Sequence, residues 1–225
     1  MNEQEHYNKR ENQRKVLERY IDRPVKYLIR HKVTPNKLSY LGFLFSFGVA
    51  LLLTFGFLHN IWLAWTIPFL MFWAGAFDIF DGEVARRTNN ISKAGAFLDS
   101  NLDRLSDAVI ILGLIYGSFV QYFIGYIILF LVLMISYIRA KAESEGIEMK
   151  GIGFMERAER LIILWFAFIA EIIIFFLTDL ILGKPFINFF PIFILLYLGL
   201  LILTVIQRIV FSFKLLNKIG AQETR

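Results

Sequence analysis

The chain has 225 residues, of which 57% are hydrophobic, 24 are Phe and none is Cys. A mean hydropathy of +0.57 exceeds what a soluble domain of this size needs, and the length leaves no room for a separate soluble domain. The lack of cysteine excludes disulfides. The net charge of +5 comes mostly from segments outside the apolar runs, so we attribute it to topology and anionic lipid headgroups and expect no nucleic-acid binding.

The first 37 residues are polar and charged, and they predict an amphipathic helix rather than a signal peptide. Its apolar stripe and its basic face suit a helix that lies in the membrane interface, and Pro24 is expected to kink or divide it. The helix serves either as an anchor or as a wall of the lipid entrance. We therefore predict two parts, a cytoplasmic juxtamembrane amphipathic helix over residues 1–37 and a six-helix domain over residues 38–225. The apolar stripe consists of Val16, Leu17, Tyr20, Ile21, Val25, Leu28 and Ile29.

Apolar runs predict an all-α integral membrane protein with six transmembrane helices. One run, over residues 105–138, is too long for a single crossing, so we divide it near Gly117 and Ser118. The others cover residues 40–58, 61–77, 161–182 and 186–206.

The positive charges predict the orientation of these helices. Ten Lys and Arg precede residue 38, three lie between Arg86 and Lys93, five between Arg139 and Arg160, and four follow residue 206. The opposite side has only Lys184. Both termini and the Asp-rich end of the bundle are therefore expected to face the cytoplasm.

Four carboxylates stand at helical spacings within residues 78–103. Asp78 and Asp81 are three residues apart, and Asp99 and Asp103 are four apart, so each pair lies on one helix face. Carboxylates near membrane depth are costly, and hard oxygen ligands suit magnesium, calcium or manganese. The spacing predicts a metal site.

These residues form the pattern D-x2-D-G-x2-A-R-x8-G-x3-D-x3-D, which resembles the full signature of the CDP-alcohol phosphotransferases. The resemblance implies a membrane enzyme that moves a phosphatidyl-type group from a CDP-linked lipid to an alcohol and releases CMP. It also implies two Mg²⁺ or Mn²⁺ ions per active site and a homodimer.

The resemblance gives each signature residue a role. Asp78, Asp81, Asp99 and Asp103 hold the metals, and Asp103 is also the candidate general base. Donor binding is expected of a separate set: Gly82 and Ala85 let the nucleotide approach the helix, Arg86 binds the donor pyrophosphate, and Asn36 belongs to a T-P-N segment that commonly precedes the first span of the family.

Five cations are the candidates for binding a phosphorylated acceptor, because guanidinium groups match phosphate oxygens. The alternative is ordinary positive-inside charge paired with nearby glutamates. Their segments resemble the branch of the family that makes inositol phospholipids from inositol phosphate, which predicts inositol 1-phosphate as the acceptor. The five are Arg139, Lys141, Arg157, Arg160 and Arg208.

Several alternatives stay open at this point. The donor is CDP-archaeol or CDP-diacylglycerol, and a composition rich in Ile, Lys, Phe and Asn favours the archaeal lipid. Glycerol 3-phosphate is the alternative acceptor, and a divalent-cation transporter is the nonenzymatic alternative.

Two further carboxylates have no role in the signature. Asp107 either pairs with Arg104 or supports the metal site. Glu171, in the middle of the fifth span, is expected to make an interhelix hydrogen bond or a dimer contact. The three histidines form no cluster, and we expect no function of them.

Overall fold

The computed structural model describes residues 20–149, 151–186 and 189–223, and within these ranges it contains helices and turns but no strand. The described chain begins in α1, residues 20–30, which runs through Pro24 without a break. Residues 1–19 of the predicted amphipathic helix lie outside the described ranges. The remaining helices are α2 (Pro35–Thr54), α3 (Thr66–Arg87), α4 (Lys93–Tyr116), α5 (Tyr122–Ser144), α6 (Arg157–Leu182) and α7 (Phe189–Glu223), with a 3₁₀ turn at Phe57–His59. The all-helical prediction is confirmed.

Among the described residues, four helices are long and apolar enough to cross a membrane, namely α2, α5, α6 and the part of α7 up to Ile219. The other two long helices, α3 and α4, carry the charged signature, which lowers their hydropathy. Six long helices follow α1 in the part of the chain that the structure describes, while the count of six spans stays a prediction.

The helix ends differ from the ends of the apolar runs. Helix α3 begins at Thr66, five residues after the start of the predicted run 61–77. It continues to Arg87, because the signature extends the helix beyond its apolar part. Helix α7 likewise continues past residue 206. The division of the longest run is where we expected it, since α4 ends at Tyr116 and Ser118 adopts a left-handed conformation with φ +61°.

The chain forms two compact units. Among the described residues, the first unit consists of residues 20–44 and 73–102. Its core joins Ile21 and Val25 of α1 to Leu38 and Val84. Part of the apolar stripe of α1 therefore packs on protein.

The second unit consists of residues 45–72 and 103–223. Within it α7 packs against α5 and α6. The fully buried rings of Phe168 and Phe190 stack with their centroids 5.7 Å apart. This core holds the helices from which the acceptor candidates project.

Two glycines let α4 approach α2 closely inside the second unit. A Cβ added to Gly113 would lie 2.7 Å from the carbonyl oxygen of Ala50, and one added to Gly117 would lie 2.1 Å from that of Leu53. Small residues at a four-residue spacing are the usual means of such close helix packing in membranes.

Gly117→Ala should therefore destabilise the protein by about 1–3 kcal/mol, because the new methyl group meets backbone that cannot yield cheaply. Thermal unfolding of the purified protein in detergent should show a melting temperature lower by at least about 2–4 °C. Gly199→Ala in α7 is the matched control, because a Cβ there meets no atom within 4 Å. Equal melting temperatures for the Gly117 variant and wild type would contradict the close approach.

Candidate active site

The signature carboxylates of the first unit come together at the cytoplasmic ends predicted for α3 and α4. Asp78 on α3 and Asp99 on α4 each offer a carboxylate oxygen within 4.8 Å of the other. Asp103 follows Asp99 by about one turn of the same continuous helix, and this pair also has oxygens within 4.8 Å. Oxygen atoms at this spacing fit a hard divalent cation.

Asp81, the fourth signature carboxylate, is not among the three whose oxygens lie within 4.8 Å of one another, and it is the most buried of the four, with 5% of its surface exposed. It lies beyond Phe77, where the apolar part of α3 ends. Burial, and then the charges of Asp99 and Asp78, raise the pKa of Asp81 to about 7, although a hydrogen bond from Ser39 opposes the shift. The Ser39 hydroxyl donates to Asp81 Oδ2 at 2.6 Å. Clustered carboxylates with this mutual repulsion are the donor set that a divalent cation stabilises.

A cavity of about 220 Å³ opens beside these carboxylates, within the first unit. It brings the predicted donor residues together with two of the predicted metal ligands. Its walls include Pro35, Asn36, Ser39, Asp81, Gly82, Ala85, Arg86, Asn90, Ser92, Gly95, Ala96 and Asp99. Sequence reasoning did not identify Ser39, Asn90 or Ser92, because a lone hydroxyl or amide residue has no distinctive spacing.

The small residues of the signature keep this cavity open. A Cβ on Gly82 would lie 3.4 Å from Nη1 of Arg86, and one on Gly95 would lie 3.0 Å from the Ser92 hydroxyl and 3.4 Å from the Asn36 side-chain oxygen. A larger residue at either position would push on cavity-lining groups.

Charged side chains link α3 to α1 beside the cavity. Glu83 accepts hydrogen bonds from Arg86 and Arg87, and Arg87 also donates to Asp22 of α1 at 2.6 Å. Arg87 and then Arg86 lower the pKa of Glu83, so this carboxylate is ionised at neutral pH. Arg87, one of the positive charges counted for the orientation of the helices, thus has two acidic partners in the structure.

In the second unit, two of the predicted acceptor residues surround Asp107. Arg160 donates to Asp107 Oδ2 at 2.8 Å, and both side chains are almost fully buried. Arg157 lies 2.8 Å from Asp103 Oδ1, and its Nε lies 3.6 Å from Asp107 Oδ1. The sequence left open whether Asp107 pairs with Arg104 or supports the metal site. The structure gives it two arginines of α6, 50 and 53 positions away, which sequence spacing could not indicate.

The remaining acceptor candidates have different surroundings. Arg208 is buried and donates to the backbone carbonyls of Ile135 and Ile152, at 2.8 Å and 2.9 Å. Arg139 pairs with Glu143 at 2.9 Å, and Lys141 pairs with Glu145, each within one turn of α5. Arg160 adjoins a cavity of only about 10 Å³, which is room for about one water molecule. Among these arginines, Arg157 and Arg139 are the more exposed.

Glu171 makes the hydrogen bond between elements that the sequence predicted. Its Oε1 lies 2.7 Å from Nε2 of His59, whose ring stacks on Phe175 at 4.0 Å. That His59 has no function stays a prediction, and the structure gives it a hydrogen bond to one oxygen of a carboxylate that is buried in α6. The sequence did not indicate that His59 and Glu171 are partners, because they are 112 positions apart.

The chain matches known proteins over most of its length. The model of the CDP-alcohol phosphatidyltransferase family matches residues 32–216. Archaetidylinositol phosphate synthase of Pyrococcus horikoshii is 42% identical over 137 residues, which are 60% of this chain and 69% of that protein. Phosphatidylinositol phosphate synthase of Corynebacterium glutamicum is 34% identical over 163 residues, which are 67% of this chain and 69% of that protein.

Solved structures of a relative agree with these matches. Phosphatidylinositol phosphate synthase of Mycobacterium tuberculosis with CDP-DAG bound has a TM-score of 0.69 at 27% identity, over 86% of this chain and 94% of that one. The same enzyme in complex with manganese and citrate has a TM-score of 0.68 at 28% identity, over 84% and 87% of the two chains. With its intact signature, its carboxylate cluster and its apolar helices, the chain is a multi-pass membrane enzyme that belongs to the CDP-alcohol phosphatidyltransferase family.

Proposed function

We propose that the protein transfers a phosphatidyl-type group from a CDP-linked lipid to inositol 1-phosphate, giving an inositol-phosphate phospholipid and CMP. The observation that carries this proposal is the cavity of the first unit, in which signature carboxylates, small residues and Arg86 stand together. The names of the relatives in Pyrococcus and Corynebacterium support the inositol phosphate product.

The donor is CDP-archaeol or CDP-diacylglycerol, and the cavity beside Asp81 receives its nucleotide part. Gly82 and Ala85 leave space for the nucleotide against α3, Asn36 supplies a polar group at the start of α2, and Arg86 binds the pyrophosphate. Asp78, Asp81, Asp99 and Asp103 hold two Mg²⁺ or Mn²⁺ ions. When bound, these ions neutralise the charge that builds on the leaving CMP.

The acceptor hydroxyl gives its proton to Asp103 as it attacks the lipid-side phosphorus of the donor. Arg157 ion-pairs with Asp103 and with Asp107, so one guanidinium stands next to the proposed base. We propose Arg157 as the first ligand of the acceptor phosphate, together with Arg139 and Lys141. The buried Arg160 and Arg208 stabilise the protein next to this acceptor site. Arg160 does so through Asp107, and Arg208 through backbone carbonyls.

The remaining expectations belong to the same proposal. The protein has six spans, with both termini and the active site on the cytoplasmic side, and it forms a homodimer. Helix α1, residues 20–30, is the described part of the interfacial amphipathic helix that the sequence predicts within residues 1–37, while residues 35–37 belong to α2. Four apolar helices and the positive charges that flank them support this arrangement.

The test is CMP release by the purified protein with a panel of acceptors: inositol 1-phosphate, glycerol 3-phosphate, serine and inositol. Each acceptor is offered with CDP-archaeol and with CDP-diacylglycerol. Inositol 1-phosphate should give the highest kcat/KM. A preference for glycerol 3-phosphate would show that this compound, and not inositol 1-phosphate, is the acceptor. Divalent-cation flux without CMP release would favour the transporter.

Arg157→Ala should raise the KM for inositol 1-phosphate by about tenfold to a hundredfold, because a lost charge-assisted contact costs about 1.5–3 kcal/mol. The KM for the CDP-lipid should change much less, since Arg86 and the carboxylate cluster bind that substrate. Steady-state CMP release with each substrate varied in turn gives both constants. Lys184→Ala is the matched control, because Lys184 follows α6 at its opposite end. A larger change in the donor constant than in the acceptor constant would remove Arg157 from the acceptor site.

A further inference from the structure

Glu83 is a glutamate inside the signature at a position that the signature does not specify, yet it is 7% exposed. A buried carboxylate is costly unless charged or polar partners compensate it. Glu83 has such partners on both oxygens. Oε2 accepts from Arg86 Nε at 3.0 Å and from Arg86 Nη2 at 2.7 Å, and Oε1 accepts from Arg87 Nε at 2.7 Å.

The two bonds to Arg86 involve one edge of its guanidinium group. Both bonds end on one carboxylate oxygen, Oε2, and together these charge-assisted contacts restrict the orientation of the group. The other terminal nitrogen, Nη1, lies on the side of Gly82, 3.4 Å from where a Cβ would stand. Since the Arg86 side chain is 53% exposed, the pair with Glu83 is what limits its rotamers.

The second oxygen of Glu83 continues to α1. Arg87 Nη1 donates to Asp22 Oδ1 at 2.6 Å, and Asp22 Oδ2 lies 2.7 Å from Lys26 Nζ. The same helix is fixed by apolar packing of Val25, which is fully buried beside Val84. Oε1 of Glu83 therefore bonds to Arg87, which is itself paired with Asp22 of α1.

We propose that Glu83 is a positioning residue that orients Arg86 for the donor pyrophosphate, and that the Arg87–Asp22 pair makes this orientation depend on the docking of α1. The inference rests on the proposed function, because it assigns Arg86 to the CDP-linked donor. It adds a role for α1 beyond membrane anchoring, namely to set the affinity for the donor.

The experiment measures the KM for CDP-diacylglycerol and for inositol 1-phosphate, and the direct binding of CDP-diacylglycerol in detergent with manganese. Glu83→Gln keeps the shape of the side chain and removes its charge, and it should raise the donor KM and Kd by about five- to tenfold while the acceptor KM stays within twofold. Asp22→Asn should act in the same direction, by about twofold to threefold. Glu148→Gln, in an exposed loop position, is the matched loss of one charge and should change neither constant.

A double-variant cycle separates positioning from a merely structural role. In an Arg86→Ala background, Glu83→Gln should have no further effect on donor binding, whereas independent effects would multiply. Multiplying effects, or an unchanged donor constant in the Glu83→Gln single variant, would overturn the inference. Thermal unfolding keeps the result interpretable, because a smaller folded fraction lowers the apparent kcat and the binding stoichiometry but changes neither KM nor Kd. A fall in apparent kcat with unchanged donor KM and Kd would therefore also overturn the inference. Failure of the wild-type protein to bind either CDP-diacylglycerol or CDP-archaeol would instead contradict the proposed function itself.

Discussion

Asp103→Asn should reduce CMP release by at least about two orders of magnitude while leaving donor binding detectable. The substitution keeps the size of the side chain but removes the proton acceptor and one charge at the metal site. Turnover is measured as CMP release at saturating donor and acceptor, and donor binding as retention of CDP-diacylglycerol in detergent with manganese.

The ion pair of Asp103 with Arg157 supplies the control for this result. If Asp103 acted only by holding Arg157, then Arg157→Ala would lose as much turnover at saturating acceptor as Asp103→Asn. We expect Arg157→Ala to keep most of the wild-type kcat, because it leaves the base in place. Near-normal CMP release by Asp103→Asn would remove Asp103 from the role of base.

The residues proposed to bind the metal ions and the donor could be predicted from sequence because they are local. Asp78 and Asp81 lie on one helix, Asp99 and Asp103 lie on the next, and helical periodicity alone brings each pair to one face. The cavity then forms where neighbouring segments pack together, and Asn36 at the start of α2 lines it. Sequence spacing does not show how deeply each carboxylate is buried, so only the structure shows that Asp81 is the most buried of the four.

The partners of the remaining charges could not be predicted, because they join segments that are far apart in sequence. Asp107 meets Arg160 across 53 positions, Ser39 meets Asp81 across 42, and Glu171 meets His59 across 112. Hydropathy describes the environment of one helix and contains no information on which helices become neighbours. The same limit explains the helix ends, since α7 continues as a helix after its most apolar part has ended.

Metal removal should eliminate activity as completely as the loss of the base. A chelator should abolish CMP release, and added Mn²⁺ or Mg²⁺ should restore it, because the carboxylate cluster is the proposed holder of the two ions. Asp78→Ala, Asp81→Ala and Asp99→Ala should each raise the metal concentration for half-maximal activity by at least about tenfold, since even outer partners of a metal site contribute tenfold to a hundredfold in affinity.

Two further variants make the metal prediction specific to the cluster. Ser39→Ala removes the hydroxyl that donates to Asp81 Oδ2, so it should shift the metal requirement in the same direction but less than Asp81→Ala does. Asp179→Ala, near the end of α6, removes an exposed carboxylate outside the cluster and should leave the metal requirement unchanged. The readout is the metal titration of CMP release, with metal-free protein as the starting point. Transfer that persists in excess chelator would exclude a metal-dependent reaction, and equal shifts for Asp179→Ala and Asp81→Ala would show that the cluster is not the metal site.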